Sequence, residues 1–556
     1  MALPVESKPL VVAPLREARS RVMTWPAMLV GLAVLMALAN LGRLDHLTSD
    51  QFSQGTMAWD AVDPALFASD RLYGEANLYE FYLPWFRSVM AWLTGLLGGP
   101  AWTFWVLALV LTAASLLTLY VLLIAMAVRP SVAALAAVIG TLPRLSLGDT
   151  LWGAGIMETA LPRTFFSALF AVPVLVLYRA RFRGWKVPVA FLLVGLLGNL
   201  HPQSGLFATL ILGGVVLVMG RFRWQSLVAV AAGGVCALVG ITPFLFQSSE
   251  LMAQLRADVF PGGLGTVSLF EELRRLGSAA TGMLTERSAA KAGVFGLCML
   301  PMLVAVWLSH RACRQDPRLR AAVVGAYVAV GFCLLAEVAK HCLMFYWGDW
   351  PTKITWLRGT RYLHFFGAVA VGVALARGNL PWRWPRWRGI VLVLLTLGAV
   401  VASLGAMEYV QRSRFMPHRA AAAWAARTPR GTRFLVDPYP ALAFRFWSRR
   451  PVAIAEHDVQ FYLVGDSRHF REAARLASSL KHCYHARDWA EVAEWARRTG
   501  STYVVAPAAA RAVMKPVFRP AGGPWVFEAP GEPGADLPGA ASRRGDRTTS
   551  REDKST

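Results

Sequence analysis

Asp50, in the run Ser49-Asp50-Gln51, follows a long apolar segment by only a few residues. A carboxylate in that place can take a proton from a substrate hydroxyl at a membrane surface. Asp45 and Asp70 stand in the same stretch and could do the same work. Glu158 lies within an otherwise uncharged run from Thr150 to Pro162 and is followed by Arg163, while His201 and Gln203 interrupt the uncharged stretch Val187 to Gly220. Arg358 and Arg361 stand three apart just before the apolar run that begins at Tyr362, and Lys340, His341 and Lys353 precede them. Two guanidiniums on one helical face can take phosphate oxygens in bidentate forks. Plainer roles exist for each: helix caps for Asp50 and Glu158, interfacial anchors for the arginines, and solvated loop charges for Asp60, Asp63, Glu75 and Glu80.

What must position these groups is a membrane domain. Of 556 residues, 55% are hydrophobic and 16% charged, and mean hydropathy is +0.43; soluble domains do not have this composition. Stretches free of charge run from Val22 to Gly42, Ser88 to Val128, Trp224 to Ser249 and Gly389 to Met407, each near or above the ~20 residues of one crossing. The net charge of +23 is not a nucleic-acid patch. Its cations instead punctuate the apolar segments: Arg16, Arg19 and Arg21; Arg179, Arg181, Arg183 and Lys186; Arg221 and Arg223; Arg311, Arg314, Arg318 and Arg320; Arg377, Arg383, Arg386 and Arg388. Placing every cluster in the cytoplasm gives a self-consistent alternation of about eleven crossings. Two of these, Ser131 to Pro143 and Thr164 to Tyr178, are short, and Val187 to Gly220 reads as a hairpin with His201 at its outer turn.

The expected fold is therefore an α-helical polytopic membrane protein of the inner (plasma) membrane with a small extracytoplasmic α/β domain. Residues 1–21 form a cytoplasmic segment and 22–407 the membrane domain, with outer loops 43–100, 144–163, 247–291 and 338–361. Residues 408–529 form the α/β domain and 530–556 a disordered tail. In the α/β domain the pattern predicts helices over His418 to Arg427, Ser467 to Lys481 and Asp488 to Thr499, and strands over Arg433 to Val436, Val452 to Ala455 and Thr502 to Val505. The basic start, apolar run and Ala37-Leu38-Ala39 imitate a signal peptide, but the run before Arg43 is long for one and reads as an uncleaved first span. The six cysteines form no framework; Cys342 and Cys483 alone share the outer side. No P-loop, CxxC pair, HExxH or GxSxG is present.

Three elements together carry a resemblance. Ser49-Asp50-Gln51, then Asp63-Pro64-Ala65-Leu66-Phe67-Ala68-Ser69-Asp70, then Leu83-Pro84-Trp85-Phe86 resemble the first outer loop of bacterial polytopic GT-C glycosyltransferases. Glu158-Thr159-Ala160-Leu161-Pro162-Arg163 and Leu200-His201-Pro202 are similar to elements further along such chains, and Trp424-Ala425-Ala426-Arg427-Thr428-Pro429 and Thr502-Tyr503-Val504-Val505 to their outer α/β domain. The resemblance implies transfer of a sugar from a polyprenyl-phosphate carrier to an acceptor on the outer face. Asp50 would be the base, with Asp45 and Asp70 as rivals, and Gln51, Glu158, Arg163, His201, Arg358 and Arg361 would contact substrate. The chain departs from the pattern in having no Asp-x-Asp or Asp-Glu pair in the loop, so a divalent cation is left open. The partners implied are the lipid-linked donor and membrane lipids. A transporter or flippase is the rival from another class, predicting internal repeats and polar groups at mid-membrane; a non-catalytic protein of the same fold is the third reading.

Overall fold

The structure, a computed structural model, describes residues 15–75, 83–146, 150–259, 298–310, 316–347, 356–376, 386–459 and 467–530. Asp149, Asp349, Lys353, Glu80, Cys313 and the tail from 531 lie outside these, as do the side chains of Glu75, Lys340, His341 and Cys342.

The first half is a run of helices: α1 (Leu15–Ala39), α2 (Ser49–Val62), α3 (Pro84–Leu97), α4 (Pro100–Ala125), α5 (Pro130–Thr141), α6 (Pro162–Leu169), α7 (Ala171–Arg179), α8 (Lys186–Gly198), α9 (Pro202–Met219) and α10 (Trp224–Val259). Proline at the first turn opens α3, α4, α5, α6 and α9, where its missing N–H is not needed and its fixed φ suits the helix. Further along come Pro317–Trp347, Tyr362–Ala376 and Arg386–Val410. Among the described residues six helices are long and apolar enough to cross a membrane, and four shorter apolar helices accompany them. The expected count of eleven is therefore not confirmed. Helices such as α5 (12 residues) and α8 (13 residues) measure only about 18–20 Å at 1.5 Å per residue, against a hydrocarbon core of about 30 Å. Thr164 to Tyr178 is divided between α6 and α7 with one residue between them.

Val187 to Gly220 does fold as a hairpin, α8 and α9, turned at Asn199–His201. Glycines let α8 and α10 touch backbone to backbone: an added Cβ at Gly195 would strike the Ala237 carbonyl, and one at Gly240 the Leu192 carbonyl. Close approach through small residues is how helices associate where no water drives them together. Asn199 pins the crossing by donating to the Gly240 carbonyl at 2.8 Å and accepting from the Phe244 N–H at 3.0 Å.

Between α5 and α6 the chain is buried but mostly not helical. Strands β1 (Arg144–Ser146) and β2 (Thr150–Trp152) pair antiparallel, and residues 151–162 are all buried. Such a buried segment survives only if its backbone finds partners. It does: the Thr141 carbonyl accepts from Ala154, Asn40 donates to the Gly155 carbonyl at 2.9 Å, and Gln51 donates to the Met157 carbonyl at 2.6 Å.

The C-terminal region is a four-stranded sheet in the order β3-β4-β6-β5, from β3 (Phe434–Val436), β4 (Tyr503–Ala506), β5 (Pro516–Phe518) and β6 (Trp525–Glu528). β3 runs parallel to β4, and the other pairings are antiparallel. The helices Arg419–Ala425, Ala441–Ser448, Ser467–Ala486 and Trp489–Arg498 accompany it. The expected strand at Val452 to Ala455 reduces to a single bridge between Phe434 and Val452. This unit packs on the first loop: Phe52 meets Phe415, Phe446 and Trp447 edge-on or tilted with ring centroids 5.2–5.5 Å apart, and Met57, Leu66 and Phe67 join Leu435 and Val504 in one core. Cys483 is a buried free thiol.

Candidate functional site

Thr48 caps α2 by accepting from the Gln51 N–H, and the Gln51 side chain accepts from the Thr48 N–H at 2.9 Å, a reciprocal capping box. Asp50 thus sits in the first turn, where an acidic side chain meets the positive end of the helix dipole. Gln51 is fully buried, with its oxygen given to Thr48 and its nitrogen to Met157. It positions the buried loop against α2 rather than offering a free amide to a substrate.

That loop leads directly into α6, and Arg163 in its first turn reaches back to Asp50, Nη1 to Oδ2 at 3.2 Å. The Asp50 side chain is 39% exposed and that of Arg163 17%. Among the described residues the second Asp50 oxygen has no partner, so it faces its surroundings as an open acceptor.

His201 caps α9. Its Nδ1 accepts from the Ser204 N–H at 3.1 Å and lies 2.8 Å from the Ser204 hydroxyl. A backbone N–H can only donate, so the proton of the neutral ring is on Nε2. Burial holds His201 well below the ordinary histidine range, and the guanidiniums of Arg361, Arg163 and Arg358 push the same way. Arg361 is joined to this imidazole through Ser204, whose hydroxyl both of them meet. Arg361 is fully buried, donates to the Ser204 hydroxyl at 2.5 Å, and lies over the rings of Trp152, Phe207 and Tyr362 at 5.1–5.8 Å. No described carboxylate pairs with it, and its Nε has no hydrogen-bond partner. It is not a snorkelling anchor, because it lies inside the bundle. Arg358 stays half-buried at the edge.

A second cluster flanks the first. Glu158 is buried, one oxygen 2.7 Å from Arg43, whose guanidinium also meets Glu408 at 3.3 Å; His46 lies 3.2 Å from the same Glu408 oxygen. Burial raises the Glu158 carboxyl above its ordinary range, and Arg43 opposes that shift.

The rival carboxylates are elsewhere. Asp45 is paired with Arg419 at 2.5 Å. Asp70 is fully buried, with Arg445 at 3.0 Å and the N–H groups of Leu72 and Val452 on its two oxygens at 3.0 and 3.1 Å. An acid so enclosed cannot reach a substrate hydroxyl; Asp70 braces the first loop against the C-terminal unit. Among the described residues no three His, Cys, Asp or Glu side chains are grouped as metal ligands would be.

Arg43, Glu408 and Ser204 were not singled out from sequence, although signals existed. Arg43 and Glu408 are the first charges after the apolar runs ending at Gly42 and Met407, and Ser204 stands at cap spacing from His201. No protein family matches the chain, and no curated protein is similar to it.

The imidazole gives a pH dependence whose sign follows from its environment. The unfolded chain binds a proton near pH 6.5, whereas the folded protein resists it, so stability is lost as pH falls through 6.5, at up to about 1.4 kcal/mol per pH unit. His201→Asn keeps a capping acceptor and removes the His201 share of the dependence. Thermal midpoints in detergent between pH 7.5 and 5.5 should fall for the wild type more than for the variant; parallel curves would contradict the environment described.

Proposed function

We propose that the protein is a membrane glycosyltransferase of the GT-C type, moving a sugar from a polyprenyl-phosphate carrier to an acceptor hydroxyl at the extracytoplasmic face of the inner membrane. The observation that carries this reading is Asp50, with one open carboxylate oxygen, held 3.2 Å from Arg163, together with Arg361 joined through Ser204 to His201 and Arg358 on the same short helical segment as Arg361. Inverting sugar transfer needs these two things side by side. Asp50 takes the acceptor proton as the acceptor oxygen bonds to the anomeric carbon; the bond from that carbon to the phosphate oxygen breaks, and the phosphate leaves with the electron pair. Arg163 and Arg358 receive its negative charge, while Arg361, sealed beneath, adds field and fixes Ser204 and His201. The polar groups gather at the His201 end of the α8–α9 hairpin, which favours this reading over a transporter with a site at mid-membrane.

The proposal includes about eleven crossings, a cytoplasmic N-terminus and an extracytoplasmic C-terminus. A C-terminal reporter active only in the cytoplasm should stay silent. A bright signal would overturn the side assigned to Asp50, because the first loop and the C-terminal unit pack together.

Arg361→Lys tests the cationic half of the site. Lysine keeps the charge but loses the planar fork and the stacking on Trp152. Transfer at limiting donor should drop, by about tenfold or more for a loss of ~1.4 kcal/mol, with insertion unchanged. Full activity of the lysine variants at both 358 and 361 would show that neither guanidinium takes part in donor use.

A further inference from the structure

At the other end of the α8–α9 hairpin the chain makes the same turn twice. Arg181-Phe182-Arg183 joins α7 to α8, and Arg221-Phe222-Arg223 joins α9 to α10. Both place Arg and Phe consecutively at positive φ (Arg181 52°, Phe182 57°; Arg221 56°, Phe222 52°), and both return the Phe N–H to the carbonyl five residues back, Leu177 at 2.9 Å and Leu217 at 2.8 Å. Two consecutive left-handed non-glycine residues are uncommon, so the repetition marks one local design used in two places.

Between the turns lies a cavity of about 440 Å³, lined by Phe182, Arg183, Trp185, Pro188, Arg223 and Ala232 among others. Its floor is apolar and its rim carries guanidiniums. No Asp or Glu occurs from Thr159 to Ser249, and among the described residues none of Arg181, Arg183, Lys186, Arg221 or Arg223 has an acidic partner. Trp185, Phe222 and Trp224 stand exposed beside it, as aromatic side chains do at a membrane interface. The first turns of α8 and α10 open here, adding the positive ends of two helix dipoles.

We propose that this cavity is a binding site for one anionic phospholipid, its phosphate held by Arg183 and Arg223 and its acyl chains laid on the apolar floor. Charge complementarity selects the occupant: a lining whose only charges are cationic, over an apolar floor, suits an amphiphile whose head is negative and whose tail is hydrocarbon. The inference does not rest on the transferase reading, since the site lies at the far end of the hairpin from His201.

The test uses the purified, delipidated full chain and native mass spectrometry with phosphatidylglycerol or phosphatidylcholine. The wild type should retain phosphatidylglycerol in preference. Arg183→Gln with Arg223→Gln should weaken that binding roughly 25-fold, about fivefold for each cation near an anionic lipid, whereas Arg183→Lys with Arg223→Lys should keep most of it. Ala232→Trp, which fills the floor and leaves the charges, should weaken it as well. Arg511→Gln, on the C-terminal unit, should not. Equal binding of the two lipids, no response to the glutamines, equal loss in the lysine variants, or no response to Ala232→Trp would overturn the proposal.

Discussion

Replacing Asp50 with asparagine should leave the protein folded and inserted but lower sugar transfer by roughly 10²- to 10⁴-fold, the usual contribution of a positioned general base. Asparagine has nearly the same shape and still accepts from Arg163, so the 3.2 Å contact between α2 and α6 can persist. What it loses is the basic oxygen that, in the proposed reaction, takes the acceptor proton. Asp60→Asn, on the same helix, is the comparison: it should be close to neutral for transfer. Equal losses at 50 and 60 would mean that the substitutions disturb the loop and that no base has been identified.

The largest effect on stability should come from Arg445. Its side chain is 1% exposed, in a bidentate pair with Asp458 at 2.6 and 2.9 Å and beside Asp70 at 3.0 Å. Arg445→Met removes the one cation between two buried carboxylates, and breaking a buried pair from one side typically costs about 3–5 kcal/mol. Burial already raises Asp70 against the pull of Arg445, with Asp458 pushing the same way as burial. Neutralising both acids in the Arg445→Met background, with Asp70→Asn and Asp458→Asn, should restore more than half of the loss. The amide oxygens can still accept from Leu72 or Val452 and from Ala455. Denaturation midpoints of the three proteins in detergent decide it: a single variant as stable as the wild type, or no recovery in the triple variant, would show that the buried pair does not join the first loop to the C-terminal unit.

Much of this architecture could be read in the residues. Long uncharged runs and first-turn prolines locate the helices, the His201-Pro202 break locates the α8–α9 turn, and the amphipathic patterns after Ser467 and Asp488 mark two helices, of which the structure extends the first to Ala486 and places the second at Trp489–Arg498. The strands β5 and β6 escaped because β5 opens on a proline and is only partly buried and β6 directly follows Gly522-Gly523-Pro524, whereas the equally short β3 and β4 are runs of buried apolar residues, and the helix Ala441–Ser448 because it buries nearly all its faces. At the site, residue type was informative and pairing was not. Asp50 and Arg163 are 113 positions apart, Arg361 and Ser204 are 157 apart, and Asp70 reaches Val452 across 382. Periodicity carries no information over such separations. Asp45, Asp50 and Asp70 share one stretch of sequence, and only tertiary packing shows that Asp70 is a buried brace while Asp45 and Asp50, similarly exposed, pair with different arginines, Arg419 of the C-terminal unit and Arg163 of α6.

The central claim is that the cluster of Asp50 with Arg163, Arg358 and Arg361 transfers a sugar from a lipid-phosphate donor. Mass spectrometry of cell-envelope glycans and lipid-linked sugars, in cells lacking the gene and complemented with either the wild type or Asp50→Asn, tests it most directly. Loss of the gene should remove one sugar from an envelope glycan while its polyprenyl-phosphate form accumulates, the wild type should restore the sugar, and the Asp50→Asn protein, present in the membrane at equal level, should not. Unchanged glycans and lipid-linked sugars without the gene, or full restoration by Asp50→Asn, would contradict it.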